Sequence, residues 1–167
     1  MAGKSKQADW EQGRRDRPVK EEYEHDSYRS RGKLPEPTIC PDCKAVYHKG
    51  RWTWGAKPAE AHEERCPACH RIHDKYPAGY LTLSGPFFKE HKKEILKLAH
   101  NEEVKAKAEH PLRRIIAIQE EEGGIVITTT DTHLPRGIGA AVTHAFHGDF
   151  HFRYSEEQKL IRANWTR

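Results

Sequence analysis

The sequence predicts an α+β fold in three parts. These are a disordered N-terminal arm over residues 1–36, a small cysteine-built module over 37–83, and a helix-backed α-α-β-α-β-β domain over 84–167. Three observations predict it. Val19 and Leu34 are the only Val, Ile or Leu before residue 37. All four cysteines fall in two pairs, CPDC at 40–43 and CPAC at 66–69. Beyond residue 84, apolar residues recur first at helical spacing and then at strand spacing.

The arm carries nine Lys/Arg and eight Asp/Glu. So little apolar surface cannot offset the entropy of ordering the chain. Its stretch EEYEHDSYRSRGK mixes aromatics with arginines, a composition that can order on a partner or remain a solvated tail.

The second segment is bounded by Pro35 and Pro37 on one side and by Ser84, Gly85 and Pro86 on the other. Aliphatic residues are scarce in it, so something other than an oily core must nucleate its fold, and metal binding can supply that. Two residues between cysteines let the backbone turn both sulfurs toward one point. Two such knuckles, separated by 22 residues, bring Cys40, Cys43, Cys66 and Cys69 together as a closed tetrahedral site for Zn2+, a zinc ribbon or knuckle. A closed site keeps no position for a reactive water, so it reads as structural. An iron centre with four thiolates shares the spacing. A redox pair would need a βαβ context, which neither pair has. His70 and His73 follow the second pair and read as surface residues.

The 22-residue loop between the knuckles, KAVYHKGRWTWGAKPAEAHEER, would project from this platform. Lys49, Arg51 and Lys57 offer charge for phosphates. Tyr47, Trp52 and Trp54 offer flat faces for bases or for another protein. Trp52 and Trp54 form either the miniature core beside the metal or a binding surface.

In the third segment, Phe87, Phe88, His91, Ile95 and Leu98 predict an amphipathic helix from Pro86. Leu112, Ile115 and Ile116 predict a second helix from Pro111, broken at Gly123 and Gly124. IVITTT at 125–130 is β-branched throughout and predicts a buried strand. Asp131 or Thr132 can cap the next helix, whose inward stripe is Leu134, Ile138, Ala141, Val142 and Ala145, with Pro135 tolerated in the first turn and Gly148 ending it. Phe150, Phe152 and Tyr154 then share a face, as do Ile161, Ala163 and Trp165, which predicts a hairpin across SEEQ.

Further candidates lie in this segment. Thr132, His133 and Arg136 stand at a helix start that could hold a phosphate, beside the simpler reading of capping and surface polarity. His144, His147 and His151 could suggest a second metal, but His144 and His147 sit near a helix end, where protonated histidine suits the dipole. His151, Arg153, Arg162 and Asn164 fall on the hairpin face opposite its aromatics, either an RNA surface or an ordinary solvated face. There is no phosphate-binding glycine loop, no serine–histidine–aspartate arrangement and no carboxylate pair. The expectation is therefore that the protein is not an enzyme, and no small-molecule substrate is evident.

Composition bounds the rest. Hydrophobic residues are 35% of the chain and charged residues 32%, with a mean hydropathy of −0.96. The net charge of +4 permits a nucleic-acid partner without demanding one. The third segment is nearly balanced, with 13 Lys/Arg against 12 Asp/Glu. No run is long enough to cross a bilayer. The opening MAGKSKQADWEQGRRDRP has no apolar signal core, so reduced thiols and a cytoplasmic location are expected.

The pieces GKLPEPTICPDC, CPAC, HKGRWTW, HPLRRI and TTTDTHLPRGIGAAV resemble a bacterial zinc-knuckle family. That family is similar to the zinc-binding N-terminal part of the Nmd-type adaptor for export and maturation of the large ribosomal subunit. The resemblance spans roughly residues 33–165. It implies a non-catalytic zinc protein associated with the ribosome or with structured RNA. The adaptors carry more cysteines, commonly for two metal sites, where this chain has four. The sequence thus suggests RNA contacts through Lys49, Arg51, Trp52, Trp54, Lys57, His133, Arg136, Arg153 and Arg162. The alternative is a protein–protein adaptor that docks through its tryptophans without RNA.

Overall fold

The computed structural model describes Tyr28 and residues 32–167. Apart from Tyr28 and residues 32–36, the predicted arm lies outside the described residues. Tyr28 stacks on the Arg71 guanidinium, 4.6 Å from the ring centroid.

Four very short strands come first. β1 (Thr38–Ile39), β2 (Val46–His48), β3 (Arg51–Thr53) and β4 (His62–Glu63) form a sheet in the order β3-β2-β1-β4. β4 alone runs parallel to its neighbour, β1. Lys49 and Gly50 make the β2–β3 turn with φ of 50° and 77°. Two successive left-handed residues give a turn whose twist matches that of the strands. Their backbone N–H groups donate to the Glu36 carboxylate at 3.1 and 2.9 Å, and the Gly50 bond above all holds that carboxyl below its usual range. Strands of two or three residues bury little apolar surface, so this sheet needs a further source of order. α1 (Pro67–Asp74) closes the module, with Pro67 in the first turn, where its missing N–H costs nothing.

The second sheet is larger. β5 (Gly79–Ser84), β6 (Ile115–Glu121), β7 (Gly124–Thr129), β8 (Asp149–Ser155) and β9 (Leu160–Thr166) are ordered β6-β7-β5-β9-β8. The centre is β5, antiparallel to β7 and parallel to β9. α2 (Pro86–Glu90), α3 (Lys92–Glu109) and α4 (His133–Phe146) supply the helices. Leu81, Leu83, Ile125, Ile127, Ala163 and Trp165 point from the sheet to Phe88, Ile95, Ala99, Leu134, Ile138 and Val142 of the helices. Burial of these side chains is the main force holding the domain together. The buried Trp165 indole donates to the His147 carbonyl at 2.7 Å, so its one polar atom is satisfied. α4 approaches β8 closely: a Cβ on Gly139 would sit 2.1 Å from the Phe150 ring.

The α+β class and the cysteine module stand as the sequence predicts, with one helix replaced by a strand. Residues 111–122 do not form the expected helix from Pro111. Ile115–Glu121 is β6, paired antiparallel with β7. Gly123, at φ 86°, turns a hairpin and does not break a helix. The helix expected from Pro86 starts there but divides at His91 into α2 and α3. All of β5 but Ser84 lies within the segment that the sequence assigned to the metal module. The larger sheet is therefore built β-α-α-β-β-α-β-β. The α4 cap is Asp131, whose carboxylate accepts from the backbone N–H groups of His133 and Leu134 at 3.2 and 3.1 Å. Of its expected stripe, Leu134, Ile138 and Val142 are buried, Ala141 is half-buried and Ala145 is exposed.

Candidate metal centre

The two CPxC pairs meet where β1, β2 and α1 converge. In the first knuckle, Cys40 N–H donates to the Ala45 carbonyl at 2.8 Å and Lys44 N–H to the Cys40 carbonyl at 3.0 Å. Lys44 takes a left-handed φ of 67° to close that turn. In the second, Cys66 caps α1, and its sulfur accepts from the Cys69 N–H at 3.4 Å. Cys66 N–H in turn donates to the Cys40 sulfur at 3.3 Å. Backbone N–H groups aimed at sulfur favour the thiolate over the thiol.

All four sulfurs lie within 4.8 Å of one another, and none is bridged to another. The Cys43 and Cys66 sulfurs are 3.8 Å apart. A tetrahedron of metal–sulfur bonds of about 2.3 Å has sulfur–sulfur edges of about 3.8 Å, whereas a disulfide would bring them to about 2.05 Å. The donor set is four soft sulfurs, which suits zinc or an iron centre and not a hard oxygen-seeking cation. Cys40, Cys66 and Cys69 are buried and Cys43 is half-buried. Four anions at this spacing are costly in the protein alone. The hydrogen bond between the Cys43 and Cys66 sulfurs pulls Cys43 down to about 4 and pushes Cys66 up. Burial raises Cys69 to about 11, against the pull of Arg114. A bound cation would remove that cost. Among the described residues this is the one such cluster; His144, His147 and His151 are exposed and belong to no metal-holding group.

Sequence reading missed Arg114. Its side chain is 7% exposed. One guanidinium nitrogen donates to Cys69 at 3.3 Å, and another to Cys66 at 3.2 Å and Cys43 at 3.6 Å. Burial works against its charge, but the sulfurs more than offset this and its pKa is raised. A helix from Pro111 gives no reason to expect an arginine here, and only the tertiary placement of the start of β6 brings it to the sulfurs.

The nine residues suggested for nucleic-acid contact divide among three places. On the module, Lys49, Arg51 and Lys57 are exposed. Trp52 is half-buried, packs on the cysteine cluster and meets Tyr47 edge-on at 5.5 Å. Trp54 is 38% exposed, and its indole donates to the Lys107 carbonyl in the last turn of α3 at 2.7 Å. Both tryptophans thus serve internal contacts, Trp52 beside the sulfurs and Trp54 against the second domain's helix. At the start of α4, burial lowers the His133 pKa, and exposed Arg136 lies over the Phe152 ring at 4.9 Å. On the outer face of the large sheet, Arg153 stands directly opposite Arg162, and His151 opposite Asn164. Arg162 lies over the Tyr80 ring at 4.8 Å. No helix among the described residues is long and apolar enough to cross a membrane. No family model matches the chain, and no curated protein or solved structure matches it either.

Proposed function

We propose that the protein is a non-catalytic zinc protein that binds RNA as part of a ribonucleoprotein in the reducing cytoplasm. The resemblance to ribosomal-subunit adaptors makes the ribosome the first partner to test. The observation that carries the reading is the outer face of the five-stranded sheet. Arg153 and Arg162 are paired directly across β8 and β9, with the Arg162 guanidinium over the Tyr80 ring of β5. Like charges directly opposite repel, and a phosphate between them would relieve that repulsion with charge-assisted hydrogen bonds. Tyr80, Thr82, His151 and Asn164 surround them on the same face, giving polar and stacking groups beside the charge.

The metal centre's part is mechanical. Four sulfurs fill a tetrahedral ion's coordination, so it offers structure and no open site for reaction. It supplies the order that strands of two or three residues lack. Docking of the tryptophans into another protein finds less support, because Trp52 and Trp54 already have partners within the chain. The test is co-sedimentation of tagged protein with ribosomal fractions from native lysate, with and without RNase. RNase-sensitive co-sedimentation supports the reading; absence from every ribonucleoprotein fraction overturns it.

A further inference from the structure

Arg114 is a buried cation placed beside three of the four candidate ligands. Buried charge is unfavourable unless paired and hydrogen-bonded. The acceptors its guanidinium reaches are the sulfurs of Cys43, Cys66 and Cys69, at 3.2 to 3.6 Å. Its backbone is fixed independently. Its N–H donates to the Thr130 hydroxyl at 2.9 Å, and its carbonyl accepts from the Thr130 N–H at 2.9 Å and from that hydroxyl at 3.2 Å. Arg113, next to it, pairs with Asp131 at 3.4 Å, the residue that caps α4. The guanidinium therefore enters the sulfur cluster from the rigid end of the five-stranded sheet, not from a loop of the metal module.

Charge counting shows what it can do there. Four thiolates around a divalent ion carry a formal charge of about −2. One guanidinium halves that charge, and the N–H groups of Cys66 and Cys69 spread more of it. Groups that hydrogen-bond metal ligands orient them and tune the metal's affinity. An arginine does this better than a lysine, because its planar fork reaches several acceptors at once. We propose that Arg114 is the fixed counter-cation of the tetrathiolate centre, a positioning residue through which the folded α+β domain strengthens metal retention in the neighbouring module. The proposal rests on the reading of the four cysteines as a metal site. It gives the two parts of the chain an energetic link: unfolding β6 withdraws the cation and weakens the site, and loss of the ion removes what holds the sulfurs gathered around the guanidinium.

The experiment compares wild type, Arg114→Gln and Arg114→Lys in the full chain. Zinc affinity is read by competition with a chromophoric chelator, and cobalt-substituted protein is read by its thiolate-to-metal charge-transfer absorption. Circular dichroism at saturating metal checks the fold. Arg114→Gln is expected to bind zinc about 10–100-fold more weakly. Its charge-transfer band should move to longer wavelength, because sulfur electrons are less stabilised once the cation is gone. Arg114→Lys is expected to lose affinity severalfold, since an ammonium cannot bridge three sulfurs. A folded Arg114→Gln protein with affinity within about threefold of wild type and an unmoved band overturns the proposal. If that variant does not fold, Arg114→Lys decides: parity with wild type overturns it. Wild-type protein that binds no stoichiometric metal would instead overturn the underlying metal assignment.

Discussion

Trp54 separates a structural tryptophan from a ligand-binding one. At 38% exposure it buries roughly 130 Å2, on the lower side for a tryptophan in a fold. At about 25 cal/mol per Å2 that burial contributes about 3 kcal/mol, and a compact unfolded chain reduces it to about 2 kcal/mol. The indole N–H also donates to the Lys107 carbonyl at 2.7 Å, one of the α3 carbonyls left without a helical partner. Water can replace that donor, so the bond adds about 0.5–1 kcal/mol. Trp54→Phe keeps most of the ring and should cost about 1 kcal/mol. Trp54→Ala should cost about 2–3 kcal/mol, read by urea unfolding of metal-loaded protein. Both variants, once folded, should bind RNA like wild type. A Trp54→Ala protein as stable as wild type but unable to bind its partner would refute the structural role and revive tryptophan docking.

Other expectations are as direct. Arg153→Ser with Arg162→Ser should weaken RNA binding alike across sequences and reduce the slope of log affinity against log salt by about 1 per arginine; an unchanged slope in fluorescence titrations would remove the outer sheet face as the RNA surface. The Cys66 and Cys69 thiols are held up, Cys66 chiefly by its hydrogen bond with Cys43 and Cys69 by burial. Both are therefore protonated at neutral pH in the protein alone. Metal binding should release at least these two protons, so zinc affinity should strengthen from pH 6 to pH 8; calorimetry in buffers of different ionisation heat reads the release, and a pH-independent affinity would contradict the assignment. Gly139→Ala places a Cβ 2.1 Å from the Phe150 ring. It should cost about 1–3 kcal/mol of stability by overpacking, seen as a lowered thermal midpoint with metal content unchanged.

What the sequence could and could not reveal follows the range of the interactions involved. β7 was legible because a run of β-branched residues has one comfortable backbone. α4 was legible because Asp131, the apolar stripe and Gly148 all agree locally. The β8–β9 hairpin showed through its alternation. The cysteine cluster was legible because the spacing within each CPxC pair is itself local. β6 was not, because Leu112, Ile115 and Ile116 also fit a helix. Pairing with β7 across the Gly123 turn outweighs that pattern. β5, six residues at the middle of the larger sheet, was hidden between a cysteine-bearing segment and a helix start. Arg114 was invisible for a stronger reason: an arginine followed by β-branched residues carries no local mark of burial. Its role comes from sulfurs 45 and 48 residues away in the chain.

Everything turns on the four sulfurs holding an ion, and the most direct test is to measure metal and thiol reactivity together on purified, reduced protein. One zinc per chain is expected, with four cysteines that resist a thiol reagent until a strong chelator removes the ion. Protein with no stoichiometric metal, or with its cysteines joined in disulfides, would contradict the metal assignment.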